Sequence, residues 1–97
     1  MGDTRPVEAF NDVVALVSAG IDVVGCAPGG LQYPWGVMPE KAITKLENAA
    51  RENDASVFVT GVDPGFANDL IPFVFAGTCQ RIEQIRCMEI ADYATYD

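Results

Sequence analysis

Two short β-branched runs, Ile21-Asp22-Val23-Val24-Gly25 and Ser56-Val57-Phe58-Val59-Thr60, each follow a segment with apolar residues at helical spacing. That alternation restricts the folds open to the chain. Strands joined by a tight turn pair antiparallel, whereas strands separated by helices of ~10–15 residues pair in parallel through βαβ crossovers. The first helical segment, 7–19, places Val7, Phe10, Val13, Val14 and Val17 on one face. Pro6 suits its first turn, Thr4 or Asp3 supplies a cap, and Gly20 stops it. The second, 40–53, turns Ala42, Ile43, Leu46, Ala49 and Ala50 inward after Pro39 and ends at Asn53-Asp54. A third apolar segment runs from Phe66 to Cys79. It is either a helix capped by Asn68 or Asp69 with Pro72 in its first turn, or a longer helix kinked at Pro72. Residues 82–91 read as a third strand, in a pattern that also fits a helix.

Composition excludes several function classes. The 97 residues are 49% hydrophobic and 21% charged, a globular balance that argues against disorder. No run approaches the ~18 apolar residues of a membrane helix. The N-terminus has no charged region leading into an apolar core, so no export signal is read, and Pro6 spoils a myristoylation signal. Net charge is −8 with six scattered basic residues, so neither nucleic acid nor an anionic membrane is an expected partner. Cys26, Cys79 and Cys87 form no Cys-x-x-Cys pair and are expected to be reduced thiols of a cytoplasmic protein. Histidine is absent, which removes His triads, imidazole bases and His-ligated zinc; no metal site is read.

The chain opens on a helix and supplies two or three strands. Parallel sheets are normally buried on both faces, so Val23, Val24, Val57 and Val59 would lack strand neighbours. The expected fold is therefore α/β, the second part of a nucleotide-binding domain whose first part is missing.

Ligands of open α/β sheets sit beyond the carboxyl ends of the strands. The first strand is followed by Gly25-Cys26-Ala27-Pro28-Gly29-Gly30 and the second by Gly61-Val62-Asp63-Pro64-Gly65-Phe66. These glycines either let a ligand approach the backbone or simply turn the chain. The first amides after Gly65 are expected to face such a ligand. Neither segment is a G-x-G-x-x-G or a P-loop. The loop over 27–39 holds three prolines and three glycines, and within it Tyr33 and Trp35 either line an apolar substrate pocket or cover the helix behind them. Asp63 and Asp69 are candidate acids, with helix capping as the other role for Asp69. Cys26 either contacts a ligand or packs as a small buried hydrophobe; Cys79 and Cys87 are expected in the core.

Taken in order, Thr4-Arg5-Pro6, Ile21-Asp22-Val23-Val24, Leu31-Gln32-Tyr33-Pro34-Trp35 and Gly61-Val62-Asp63-Pro64-Gly65-Phe66-Ala67-Asn68-Asp69 resemble the middle of the dihydrodipicolinate-reductase-like NAD(P)-dependent oxidoreductases. The nearest branch is that of 2,4-diaminopentanoate dehydrogenase and the native amine dehydrogenases. The resemblance covers essentially the whole chain, and Gly-Val-Asp-Pro-Gly-Phe is its most specific part.

The resemblance implies a Rossmann-like fold, with residues 1–80 the C-terminal part of the NAD(P)-binding domain. Residues 81–97 would begin an α+β domain for substrate and oligomer contacts, with 82–91 as its first strand. It implies NAD or NADP as cofactor, with Thr4, Arg5 and Pro6 following a central strand near it. Gly25, Cys26 and Ala27 would lie near the nicotinamide, and Asp63, Pro64 and Gly65 in the loop closing over it. Tyr33 and Trp35 would line the pocket of a small-molecule substrate, and a homo-oligomer is compatible with the family's dimer or tetramer contacts.

The departures are specific. The family's Gly-rich phosphate turn is not in these residues, so the segment alone is expected to bind dinucleotide weakly or not at all. The reductase members' His-His-x-x-Lys motif has no counterpart, since histidine is absent and Lys41 and Lys45 are the only lysines. Gly29-Gly30 stand where amine-dehydrogenase members carry a glutamate, and glycine cannot transfer a proton, so no catalytic residue is assigned. The expected function is a fragment of an oxidoreductase moving hydride to or from a C=N or C=O carbon, inactive alone. The alternative is a non-catalytic fold remnant or a partner-binding protein.

Overall fold

The computed structural model describes residues 5–92 and 94. Its regular elements begin with helix α1, Pro6–Ser18, strand β1, Val23–Gly25, and helix α2, Glu40–Glu52. Strand β2, Val57–Val59, follows, then a wide π-helical turn, Phe66–Leu70, that runs directly into helix α3, Ile71–Ala76. A short 3-10 turn, Gly29–Leu31, interrupts the loop between β1 and α2.

β1 and β2 pair in parallel, with Val23 opposite Val57, Val24 opposite Phe58 and Gly25 opposite Val59. The sheet is thus α/β with two strands among the described residues. Alternation along the strands puts Val23, Val57 and Val59 on one face. Against that face pack Val13 and Val17 of α1 and Ala49 of α2, with Leu16, Leu46, Ala50, Leu31 and Ala55 around them. Both long helices therefore serve one face of the sheet. The other face presents Val24 and Phe58 to solvent.

Local chemistry explains most boundaries. Pro6 occupies the first turn of α1, where its missing N–H costs nothing. α1 ends at Ala19, and Gly20 adopts φ +74°, the left-handed conformation that closes a helix. Asp22 holds the start of the sheet together: its Oδ1 accepts the Ser56 N–H at 2.7 Å, while the Val23 N–H donates to the Ser56 carbonyl at 2.8 Å. Asn53 ends α2 and returns its Nδ2 to the Ala49 carbonyl, 2.8 Å.

The third segment takes neither alternative whole: the helical run is continuous from the π-helical turn into α3, and Pro72 lies in the first turn of α3. Neither Asn68 nor Asp69 caps it; Gly65 stands at the N-terminal boundary, and no side chain caps there. Pro72 has no N–H for the Asn68 carbonyl four residues back. The Cys87 thiol approaches that same carbonyl, Sγ to O 3.5 Å.

Several expectations are corrected. Val7 is 72% exposed and does not share the buried face of α1. Residues 82–91 form neither strand nor helix. Ile82, Ile85, Met88 and Ile90 are exposed, and among the described residues no strand pairs with this segment, so nothing satisfies the extended backbone that their spacing suggests. Cys26, Cys79 and Cys87 are all exposed free thiols rather than core residues. The Thr4 and Asp3 caps fall outside the described residues. No helix among the described residues is long and apolar enough to cross a membrane.

Candidate functional site

The two strands deliver their carboxyl ends side by side. The Thr60 N–H donates to the Gly25 carbonyl at 2.9 Å, extending the parallel ladder one step beyond β2. From this edge the chain leaves β1 through Cys26-Ala27-Pro28 and leaves β2 through the turn Gly61–Gly65. The Ala27-Pro28 and Asp63-Pro64 peptides are both cis.

The β2 turn closes on itself. Val62 and Gly65 form an isolated antiparallel bridge, and the Thr60 hydroxyl donates to the Gly61 carbonyl at 2.7 Å. Gly61 is buried at φ +71° and Gly65 adopts φ +133°. A Cβ at Gly61 would run into the Pro64 carbonyl and the Gln32 carboxamide; one at Gly65 would run into the Thr60 carbonyl. Both glycines are thus required by the turn's own close approaches.

The amides expected to face a ligand are already committed. The Phe66 N–H donates to the Gly61 carbonyl at 3.2 Å and the Ala67 N–H to the Val62 carbonyl at 2.7 Å. A wide turn places each acceptor five residues back, which consumes the donors that a normal helix start leaves open.

The loop after β1 reaches this turn through one side chain. Gln32 Nε2 donates to the Pro64 carbonyl at 3.1 Å, across 32 positions of sequence. Gln32, Phe58 and Val59 form the common wall of two cavities. The larger, about 680 Å³, has Leu70, Phe73 and Ile85 as apolar lining and Thr60, Asn68 and Asp69 at its polar side. The smaller, about 310 Å³, lies against α2 with Pro34 and Trp35 on its other side. Volumes of this size suit small ligands with an apolar body and a few polar groups.

The expected site residues divide into those brought together and those left apart. Gly25 meets the β2 end through Thr60, and Pro64 meets the aromatic loop through Gln32. Gly65 lines the larger cavity, and Trp35 lines the smaller one. Tyr33 is exposed and stacks edge-to-face on Trp35, with ring centroids 5.5 Å apart at 68°. Cys26 is exposed, while Ala27 and Asp63 are half-buried in their loops. Arg5 pairs with Glu8 at 2.8 Å, and Pro6 begins α1. Thr4 lies outside the described residues. The sequence placed Gln32 in a loop, Phe58 and Thr60 in a strand and Asn68 as a cap, and assigned none of them to a site. The one available signal was a polar amide inside the otherwise apolar Leu31–Trp35 loop.

Curated enzymes are similar to this chain along most of its length. The chain is 42% identical over 96 residues to an amine dehydrogenase of Streptomyces virginiae, which covers 99% of this chain and 26% of that protein. It is a relative of the amine dehydrogenase and 2,4-diaminopentanoate dehydrogenase branch. The second member, the 2,4-diaminopentanoate dehydrogenase of Acetoanaerobium sticklandii, is 32% identical over 83 residues, 86% of this chain and 23% of that protein. The chain thus spans about a quarter of the length of these curated dehydrogenases. No protein-family model matches the chain. No solved structure matches it either.

Proposed function

We propose that this chain is the segment of an NAD(P)H-dependent oxidoreductase that carries the strand-end loops beside the nicotinamide. Hydride would pass to or from the carbon of a C=N or C=O group of a small-molecule substrate. The observation that carries this reading is the similarity to a dehydrogenase over 96 residues, a span that takes in both loops that Gln32 and Pro64 tie together. In this reading residues 1–80 belong to a Rossmann-like cofactor domain, 81–97 open a second domain, and the protein is cytoplasmic.

The residues present fit one end of NAD or NADP and not the other. Gly25, Ala27 and Gly65 offer side-chain-poor backbone at the strand ends, and Phe58 and Val59 supply apolar surface beside it. No Gly-rich turn is available for a diphosphate, and the Phe66 and Ala67 amides are engaged. The chain by itself is therefore expected to bind dinucleotide weakly or not at all. Bound through a diphosphate site elsewhere, the cofactor would supply the hydride chemistry. This chain's residues would set the spacing of the two loops through Gln32 and shield the site from water with Trp35 and Tyr33.

A second reading, a non-catalytic remnant or partner-binding protein, draws on the solvent-facing Val24 and Phe58. The two separate in one experiment. The native polypeptide is captured from its source cells with an antibody to residues 40–54, sized, and assayed for amine-dependent reduction of NAD+ and NADP+. Turnover by a polypeptide several times larger than 10.4 kDa supports the dehydrogenase. A polypeptide of that small size with no nicotinamide-dependent turnover supports the remnant.

A further inference from the structure

We propose that Gln32 is a positioning residue: its carboxamide holds the Gly61–Gly65 turn, and with it the π-helical turn Phe66–Leu70, against the aromatic loop. Three observations converge on it. Gln32 Nε2 donates to the Pro64 carbonyl at 3.1 Å. The same carboxamide packs on Gly61 so closely that any Cβ there would collide with it. Gln32 is also part of the shared wall of both cavities.

The mechanical consequence follows from what the turn supports. The Gly61, Val62 and Gly65 carbonyls are the acceptors for the N–H groups of Phe66, Ala67 and Leu70, at 3.2, 2.7 and 2.9 Å. The turn is therefore the foundation of the helical segment that provides Asn68, Asp69 and Leu70 to the larger cavity. On the other side, Gln32 sits three residues before Trp35, which lines the smaller cavity. One hydrogen bond to a backbone carbonyl thus sets the distance between the walls of two cavities. A ligand in either cavity would feel its loss through position and not through direct contact.

The decisive measurement is site-resolved amide hydrogen exchange on the polypeptide at its native length, wild type against Gln32→Met. Methionine matches the length of glutamine but has no donor. Losing one neutral hydrogen bond raises the open population of the turn roughly two- to tenfold. Exchange at Phe66, Ala67 and Leu70 should accelerate by that factor, while the α1 core amides around Val13 and Val17 keep their rates. Gln32→Glu, ionised at neutral pH, also lacks the donor and should accelerate the same three amides at least as much; it decides the matter if the Met variant does not fold. Unchanged rates at the three amides, or an equal acceleration everywhere, would overturn the proposal.

The kinetic arm alone rests on the dehydrogenase reading. There, Gln32→Met should raise KM roughly tenfold with a smaller change in kcat. Local acceleration in a polypeptide that shows no dehydrogenase activity would leave the positioning role standing and remove the enzymatic reading.

Discussion

Val24 and Phe58 stand directly opposite one another in the β1–β2 register, and both face solvent, 78% and 61% exposed. Two large apolar side chains side by side on a parallel sheet form the beginning of a second buried face. Both helices α1 and α2 are spent on the first face, where Val13, Val17, Val23 and Ala49 meet.

Replacing this pair tests whether the exposed face contributes to the fold. The double variant Val24→Thr/Phe58→Thr puts a β-branched, strand-compatible residue at both positions. It should change unfolding free energy in urea by about 0.5 kcal/mol or less, as surface substitutions do. Sedimentation velocity and binding of a hydrophobic dye should both fall to lower values. A loss of several kcal/mol would show that the face is covered in the protein as it folds.

The contrast between Val17 and Val7 tests which side of α1 carries the core. Val17 is fully buried and Val7 largely exposed, although both sit at the same helical spacing. Val17→Ala should cost about 2 kcal/mol, the transfer and cavity cost of removing two buried methyl groups. Val7→Ala should stay within about 0.5 kcal/mol. Urea denaturation of the two variants side by side reads the difference.

Asp22 fastens the start of β2 to the chain before β1 through the 2.7 Å hydrogen bond from the Ser56 N–H. Asp22→Ala should destabilise by about 1 kcal/mol, the typical net worth of one hydrogen bond. Asp22→Asn retains a side-chain carbonyl oxygen and should recover about half of that loss. Faster exchange of the Ser56 amide in the alanine variant alone would be the local signature.

The glycines make a graded series. Gly65→Ala places a Cβ against the Thr60 carbonyl at φ +133°, and should cost about 3 kcal/mol or abolish the turn. Gly36→Ala, at φ +82°, meets nothing within 4 Å and should cost about 1 kcal/mol, from backbone strain alone. Thermal unfolding of both variants, ranked in that order, checks the assignment of the turn's close contacts.

The elements legible in the sequence are those whose signals are local. The spacing of Val13, Val14 and Val17 reports α1, and Ile43, Leu46, Ala49 and Ala50 report α2, with ends within a residue or two of those observed. Both β-branched runs contain the strands, shortened to Val23–Gly25 and Val57–Val59, with Ser56 and Thr60 each joined to the neighbouring strand by a backbone hydrogen bond just beyond them. The glycine turn was legible because positive φ leaves few other residues to choose. The segment 82–91 misled because Ile82, Ile85, Met88 and Ile90 show apolar spacing yet stay exposed, with no strand among the described residues to pair with them. The three cysteines misled for a related reason: thiols are usually buried, but burial requires a neighbouring layer that these positions lack.

What the sequence determined by itself is therefore the local conformations: two long helices, two short strands and a turn that only glycine can make. Backbone sterics and side-chain periodicity act over a few residues, so a single stretch of chain is enough to reveal them. Tertiary structure alone decided that both helices cover the same sheet face, that Val24 and Phe58 remain in solvent, and that Gln32 finds Pro64 across 32 residues. Burial and hydrogen bonding at such distances depend on which surfaces meet, and that is a property of the assembled chain.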